Sequence, residues 1–160
     1  MPSERRSGGI FIGELTAESG IGTLTDALAL FPGARVEILE RDEVDVDELQ
    51  ARLQRAAYLV LPTLSYEPMP RPLVEAFANA VPVIASRMGS LADLIEPGRN
   101  GLLFEPGSAR DLARRLAWAE AFPEKMQQMG ECARADYQAR FITEWSYQTL
   151  FGERRRSARV

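Results

Sequence analysis

Two glutamates, Glu67 and Glu75, are separated by seven residues in the segment LPTLSYEPMPRPLVE, which begins with the last residue of the apolar run 58–61. Glu67 comes just before a predicted helix, and Glu75 is predicted in its first turn, about 200° around the helix axis from the apolar Leu73. The carboxylate of Glu75 is therefore expected at the rim of the fold, where a polar ligand could meet it. A simpler alternative is that Glu75 only complements the helix dipole and that Glu67 is an ordinary loop carboxylate.

The composition excludes several kinds of chemistry. The chain has 160 residues, no histidine and one cysteine, Cys132, so a Ser-His-Asp triad, a Cys-His pair, a histidine zinc site and an internal disulfide are all excluded. A net charge of −4 argues against a nucleic-acid binder, because the phosphate backbone requires a basic surface. The longest apolar run, 56–61, is far shorter than the roughly 20 residues of a transmembrane helix. Since no signal peptide is recognisable either, we expect a cytoplasmic protein without a transmembrane segment.

Short apolar runs alternate with segments of helical period, which is typical of a parallel sheet with crossover helices. The sequence predicts an α/β fold: one Rossmann-like domain over 1–160, with five to six parallel strands, helices on both faces and further C-terminal helices. Its ordered core is expected at about 9–151, followed by a basic tail at 152–160. Capping pairs are predicted at Thr23 with Asp26 and at Asp45 with Glu48. Strands are predicted at 9–15, 35–40, 58–61, 82–86 and 101–104, and the last helices at 124–140 and 143–151.

The segment that contains the two glutamates resembles a known family. An E-x7-E motif is followed by a small-residue helix, a PVIAS strand, a glycine turn at Gly89 and the segment GLLFEPG. This order resembles the nucleotide-sugar half of family-4-type retaining glycosyltransferases of GT-B fold. The resemblance runs from about 9 to 151 and is most specific across 61–112. It covers only the C-terminal half of such an enzyme, so it implies that an acceptor-binding domain or a partner protein acts in trans.

The resemblance implies hexosyl transfer from a nucleotide sugar with retention of configuration. Glu67 is then the catalytic residue that approaches the donor sugar, and Glu75 binds the ribose hydroxyls. No metal and no other cofactor is expected, because a helix N-terminus and basic side chains would stabilise the phosphate charge. The further donor-binding positions that the resemblance implies are Met69, Pro70, Arg71, Leu73, Gly13, Glu14, Ser19 and Gly89.

Prolines limit the backbone donors between the two glutamates. Pro68, Pro70 and Pro72 have no N–H, so the amides of Met69, Arg71, Leu73 and Val74 remain. The guanidinium of Arg71 can also clasp a phosphate through two parallel hydrogen bonds. A solvated surface arginine is an equally simple interpretation.

The sequence also departs from the family pattern. Members usually carry an arginine at the position of Glu14 and a lysine at that of Ser19, and those cations bind the diphosphate. Ala80 and Ser90 replace glycines and are expected to add bulk near the ligand.

The alternative hypothesis is therefore a non-catalytic GT-B-like domain that acts in protein–protein interaction or regulation. An unrelated Rossmann-like nucleotide binder is a third interpretation. Asp45-Val46-Asp47 matches the D-x-D of metal-dependent glycosyltransferases, although helix capping explains it more simply.

Overall fold

A computed structural model describes residues 6–141, which form an α/β fold with five parallel strands. The strands are β1 (Gly9–Gly13), β2 (Val36–Glu40), β3 (Tyr58–Leu61), β4 (Val83–Ser86) and β5 (Gly101–Phe104). The helices are α1 (Ile21–Leu30), α2 (Val46–Arg55), α3 (Arg71–Ala78), α4 (Ser90–Leu94), α5 (Ala109–Ala121) and α6 (Pro123–Asp136). The predicted fold class is confirmed, whereas the predicted helix at 143–151 and the basic tail at 152–160 lie outside the described residues.

The sheet has the order β2-β1-β3-β4-β5 and is covered by helices on both faces. Residues of β3 are all buried and alternate between two apolar clusters, with Leu59 and Leu61 in one and Tyr58 and Val60 in the other. The first cluster includes residues of α2, α3 and α4, and the second includes residues of α1 and α5. Because β3 is apolar on both faces, its prediction as a central strand is confirmed.

The first helix begins earlier than its capping signal predicts. Gly20 is the N-cap of α1 with φ +79°, and a Cβ there would stand 1.8 Å from the carbonyl oxygen of Pro62. The capping box predicted at Thr23 and Asp26 is therefore wrong, because this close approach starts the helix directly after Gly20. In α2 the prediction is confirmed, since the carboxylate of Asp45 accepts the amide N–H of the third helical residue at 2.8 Å.

Ala80 ends α3 in a left-handed conformation. Its φ is +60°, its N–H donates to the carbonyl of Phe77, and the N–H of Val81 donates to that of Ala76. These two bonds form a Schellman motif, in which glycine is the usual residue at the left-handed position. Ala80 thus lies at the C-terminal end of α3, whereas the site described below is at the N-terminal end. The expectation that Ala80 adds bulk near a ligand is therefore wrong.

Within residues 6–141, no helix is long and apolar enough to cross a membrane.

Candidate functional site

The strand order creates a switch point at the carboxyl edge of the sheet. The chain passes from β1 to β2 on one side and returns to β3 on the other, so the loops that follow β1 and β3 diverge. In open parallel sheets, ligands bind in the crevice at such a point. A cleft of about 320 Å³ lies there, and we call it the switch-point cleft. It is lined by the end of β1, which includes Gly13, and by the segments that follow β1, β2, β3 and β4, among them Arg41, Thr63 and Met88.

Six of the ten predicted site residues line this cleft. They are Gly13, Glu14, Ser19, Glu67, Pro70 and Arg71. The other four lie outside the lining: Leu73 is fully buried in the core, Met69 packs half-buried against that core, Gly89 lies against the ring of Tyr66, and Glu75 lies behind two arginines. The side chain of Leu73 therefore has a packing role, and only its backbone amide remains available to a ligand.

Glu75 is held by arginines instead of projecting freely from the rim. The guanidinium of Arg41 donates from both terminal nitrogens, to Oε1 at 2.6 Å and to Oε2 at 3.1 Å. Nε of Arg71 lies 3.6 Å from Oε2. The Glu75 side chain is only 13% exposed. Its position also differs from the prediction, because α3 begins at Arg71 and Glu75 is the fifth helical residue, beyond the first turn. A role in the helix dipole alone does not account for this paired carboxylate.

The N-terminus of α3 opens onto the cleft. Its N-cap is Pro70, which has no side-chain acceptor, and the second helical residue is Pro72, which has no N–H. The N–H of Val74 donates to the carbonyl of Pro70 at 3.3 Å, so it is not the ligand donor that the sequence suggested. The amides of Arg71 and Leu73 have no backbone acceptor within residues 6–141 and remain as donors at this end.

Glu67 lies on the exposed loop that precedes α3. The hydroxyl of Ser90 donates to the backbone carbonyl of Glu67 at 2.5 Å. Next to it, Gly89 has φ +54°, and a Cβ there would stand 2.4 Å from the ring of Tyr66. These contacts hold the loop after β3 against the start of α4, and Glu67 lines the cleft. Ser90 therefore joins two loops, which is a different role from the added bulk that its sequence position suggested.

The charges around the cleft are mixed. The acidic side chains in its lining are Glu14, Glu18 and Glu67, and the basic ones are Arg41 and Arg71. Both arginines lie against Glu75, which neutralises part of their charge. The side chain of Ser19 supports the start of α1, where its Oγ donates to the carbonyl of Thr16 at 2.8 Å. An anionic ligand would therefore meet little net positive charge from the described side chains.

Arg41 is the residue that sequence reasoning missed. It begins a single 3-10 turn, Arg41–Glu43, directly after β2. Because parallel strands end at the same edge, a cation immediately after β2 is expected near the residues that follow β1 and β3. The position of Arg41 at the end of a strand could therefore have predicted that it lies near the site. It could not have predicted that its partner is Glu75, which is 34 residues away in the sequence.

Comparisons with known proteins identify the class as glycosyltransferases of GT-B fold. Residues 25–136 match the family described as Glycosyl transferases group 1. This chain belongs to that family.

The curated relatives are much longer than this chain. An uncharacterized glycosyltransferase of Methanocaldococcus jannaschii is 28% identical over an alignment of 131 residues, and the match covers 68% of this chain and 36% of that protein. An MMP alpha-(1->4)-mannosyltransferase of Mycolicibacterium hassiacum is 30% identical over 105 residues, which are 65% of this chain and 24% of that protein. The chain therefore spans between about a quarter and a third of the length of these relatives.

Solved structures share the fold. A sucrose-phosphate synthase from Thermosynechococcus elongatus superposes with a TM-score of 0.74 at 24% identity, over 96% of this chain and 47% of that one. Anabaena HepE, solved in complex with UDP-glucose, gives 0.73 at 23% identity, over 91% and 49%. The C-terminal domain of a group 1 glycosyl transferase (LpcC) from Francisella tularensis gives 0.71 at 18% identity, over 85% and 88%. These likenesses show that the chain has the fold of a Rossmann-like domain of GT-B proteins.

Proposed function

We propose that the switch-point cleft binds the nucleoside diphosphate of a nucleotide sugar and that this domain is the donor half of a hexosyltransferase that retains configuration. The observation that carries the proposal is the position of Glu67, Arg71 and Glu75 at the carboxyl edge of the sheet in a group 1 glycosyl transferase. Because Anabaena HepE is solved with UDP-glucose, uridine nucleotides are the first ligands to test.

Each part of the ligand has a group in this chain that suits it. The amides of Arg71 and Leu73 at the start of α3 are donors for phosphate oxygens, and the helix dipole favours negative charge there. The Arg71 side chain is 58% exposed and reaches the same end. Glu75 accepts hydrogen bonds from the ribose hydroxyls, and the exposed Glu67 faces the donor sugar. We propose that these groups stabilise the leaving diphosphate without a metal ion.

An acceptor site has to come from outside the described residues. The relatives are about three to four times as long as the part of this chain that matches them. We propose that an acceptor-binding domain, in the same longer protein or in a partner protein, completes the catalytic cleft over Glu67.

A second candidate function is a non-catalytic domain that binds other proteins. Glu14 and Glu18 favour it, because both are exposed carboxylates in the lining of the switch-point cleft. A diphosphate would be repelled by them at the end of β1, where Ser19 supplies only a hydroxyl. The two candidates differ in one measurable property, which is affinity for nucleotides.

Thermal unfolding with UDP, GDP, ADP and their glucose or mannose conjugates separates the two candidates. A ligand at about 100 times its Kd adds about 2.7 kcal/mol and raises the Tm by about 5 to 10 °C at this size. We expect a shift that is selective for one nucleotide and that Glu75→Gln reduces. The control Glu37→Gln alters a glutamate that also pairs with an arginine, Arg52, but lies outside the cleft lining, so it should keep the shift. No shift of the native protein with any ligand would refute donor binding and favour the non-catalytic candidate.

A further inference from the structure

The ion pair between Arg41 and Glu75 occupies both oxygens of the carboxylate that we assign to ribose. The two terminal nitrogens of Arg41 face the two oxygens at 2.6 and 3.1 Å, which is the fork geometry of a bidentate pair. The Arg41 side chain is 25% exposed and that of Glu75 is 13% exposed, so the pair is largely shielded from water. Arg41 therefore covers the carboxylate of Glu75 on the side where both oxygens accept its hydrogen bonds.

The guanidinium fork and a ribose diol make the same demand on a carboxylate. An ionised carboxylate has about four lone-pair sites on its two oxygens. A bidentate guanidinium uses one lone-pair site on each oxygen, and these two forward sites point in parallel away from the rest of the side chain. Two adjacent hydroxyls that donate to both oxygens at once need that same forward pair. Arg41 and the diol therefore exclude each other, whereas a single hydroxyl can still use one of the outward sites.

We propose that Arg41 competes with the ribose for Glu75, so that nucleotide binding requires the Arg41–Glu75 ion pair to open. This inference rests on the proposed function, because it assumes that Glu75 receives the ribose. It makes Arg41 a specificity-determining residue that sets how strongly the site distinguishes ribose from deoxyribose.

The surroundings indicate which partner of the pair moves. Glu75 lies inside α3, where its backbone carbonyl accepts from Nδ2 of Asn79 at 2.9 Å and where Arg71 flanks its carboxylate. Arg41 lies on the short 3-10 turn after β2 and borders the open cleft. Rotation of the Arg41 side chain into the cleft releases the carboxylate without disturbing the helix. The released guanidinium then stands beside the ligand as a free cation.

The test compares ribonucleotides with 2′-deoxyribonucleotides. Binding of UDP, GDP and ADP and of their 2′-deoxy forms is measured by calorimetry for the native protein, Arg41→Gln and Arg41→Lys. For each protein, the Kd of the 2′-deoxy form is divided by the Kd of the ribonucleotide. Contributions of the phosphate groups to the binding free energy cancel in this ratio, including any attraction between phosphate and Arg41 that a substitution removes. We expect Arg41→Gln to raise the preference for ribose about tenfold, which corresponds to about 1.4 kcal/mol at 25 °C. Arg41→Lys keeps the charge but loses the fork, so it should give a smaller increase in the same direction.

Two further variants link the effect to Glu75. In a Glu75→Gln background, Arg41→Gln should leave the ratio unchanged, because the amide side chain cannot receive both hydroxyls. Arg52→Gln is the matched control, since Arg52 bridges two glutamates, Glu37 and Glu48, outside the cleft lining. It should also leave the ratio unchanged.

The possible outcomes separate this inference from the proposed function. If the native protein binds nucleotide and Arg41→Gln leaves the ribose preference equal or lower, the inference is overturned while donor binding stands. If only Arg41→Gln and Arg41→Lys bind nucleotide, the inference is supported in its strongest form. If no variant binds any nucleotide, both the proposed function and this inference are refuted.

Discussion

Replacing Glu14 by arginine should strengthen binding of a nucleoside diphosphate. Glu14 is an exposed carboxylate that follows β1 and lines the switch-point cleft. Two unit charges about 4 Å apart interact by about 1 kcal/mol in water and by about 4 kcal/mol at an effective dielectric constant near 20. Because Glu14 is exposed, the value for water applies. Exchanging its charge from negative to positive removes one repulsion and adds one attraction, which gives about 2 kcal/mol or about 30-fold in Kd.

Calorimetry with UDP, GDP and ADP measures this gain in Glu14→Arg at low salt and at about 1 M salt, where the Debye length falls to about 3 Å. The gain should shrink at high salt. Glu131→Arg is the matched control, because this substitution changes the net charge of the protein by the same amount. Glu131 is an exposed residue of α6 and lies outside the cleft lining. Equal changes of the Kd in both variants would contradict a local role of Glu14, since the effect would then be one of net charge alone.

Three other predictions concern the stability of the fold. Ala80→Gly should raise the free energy of unfolding by about 0.5 to 1 kcal/mol in urea titrations, because it relieves a left-handed φ of +60° at some cost in unfolded-state entropy. Gly20→Ala should lower that free energy by about 2 kcal/mol or more, because its Cβ meets the carbonyl of Pro62, whereas Gly22→Ala has open space and should be neutral or stabilising. Asp136→Asn should flatten the loss of stability in acid, measured as Tm against pH. Burial by itself would raise the pKa of Asp136, but hydrogen bonds from Arg99 and Asn100 outweigh it and hold the pKa below its usual range.

The lowered pKa of Asp136 makes the folded protein more sensitive to acid. A carboxyl whose pKa is lower in the folded state than in the unfolded state stabilises the fold above its unfolded pKa of about 3.9. This contribution disappears as the pH falls through the lower folded value. The native protein should therefore lose Tm more steeply than Asp136→Asn below about pH 4. Equal slopes would contradict the assignment of the Asp136 pKa. An unchanged free energy of unfolding in Gly20→Ala, or a lower one in Ala80→Gly, would contradict the arguments from backbone conformation at those positions.

The sequence predicts the sheet well because burial on both faces leaves a local signal. The run Tyr58–Leu61 is apolar throughout, and its four residues are buried in the fold. Asp45 also gives a local signal, because a cap and the amide that it accepts are three residues apart. Such features depend only on neighbours in the chain, and they are the ones that the sequence predicts correctly.

The features that sequence reasoning misses depend on distant residues. Arg41 and Glu75 lie on different elements, and only the folded sheet brings them together. The start of α1 depends on the close approach of Gly20 to Pro62, which overrides the local capping pattern at Thr23. For the same reason, the carboxylate of Glu75 looked free in the sequence and is paired in the structure.

The most direct test of the central claim is a titration of the protein with UDP-, GDP- and ADP-sugars in turn, followed by backbone amide chemical shifts in NMR spectra. If the nucleotide sugar binds in the switch-point cleft, the largest changes should occur at Gly13, Ser19, Arg71 and Leu73. Residues of α6, on an element outside the cleft lining, should change little. Changes centred elsewhere, or no changes with any of these nucleotide sugars, would contradict donor binding in this cleft.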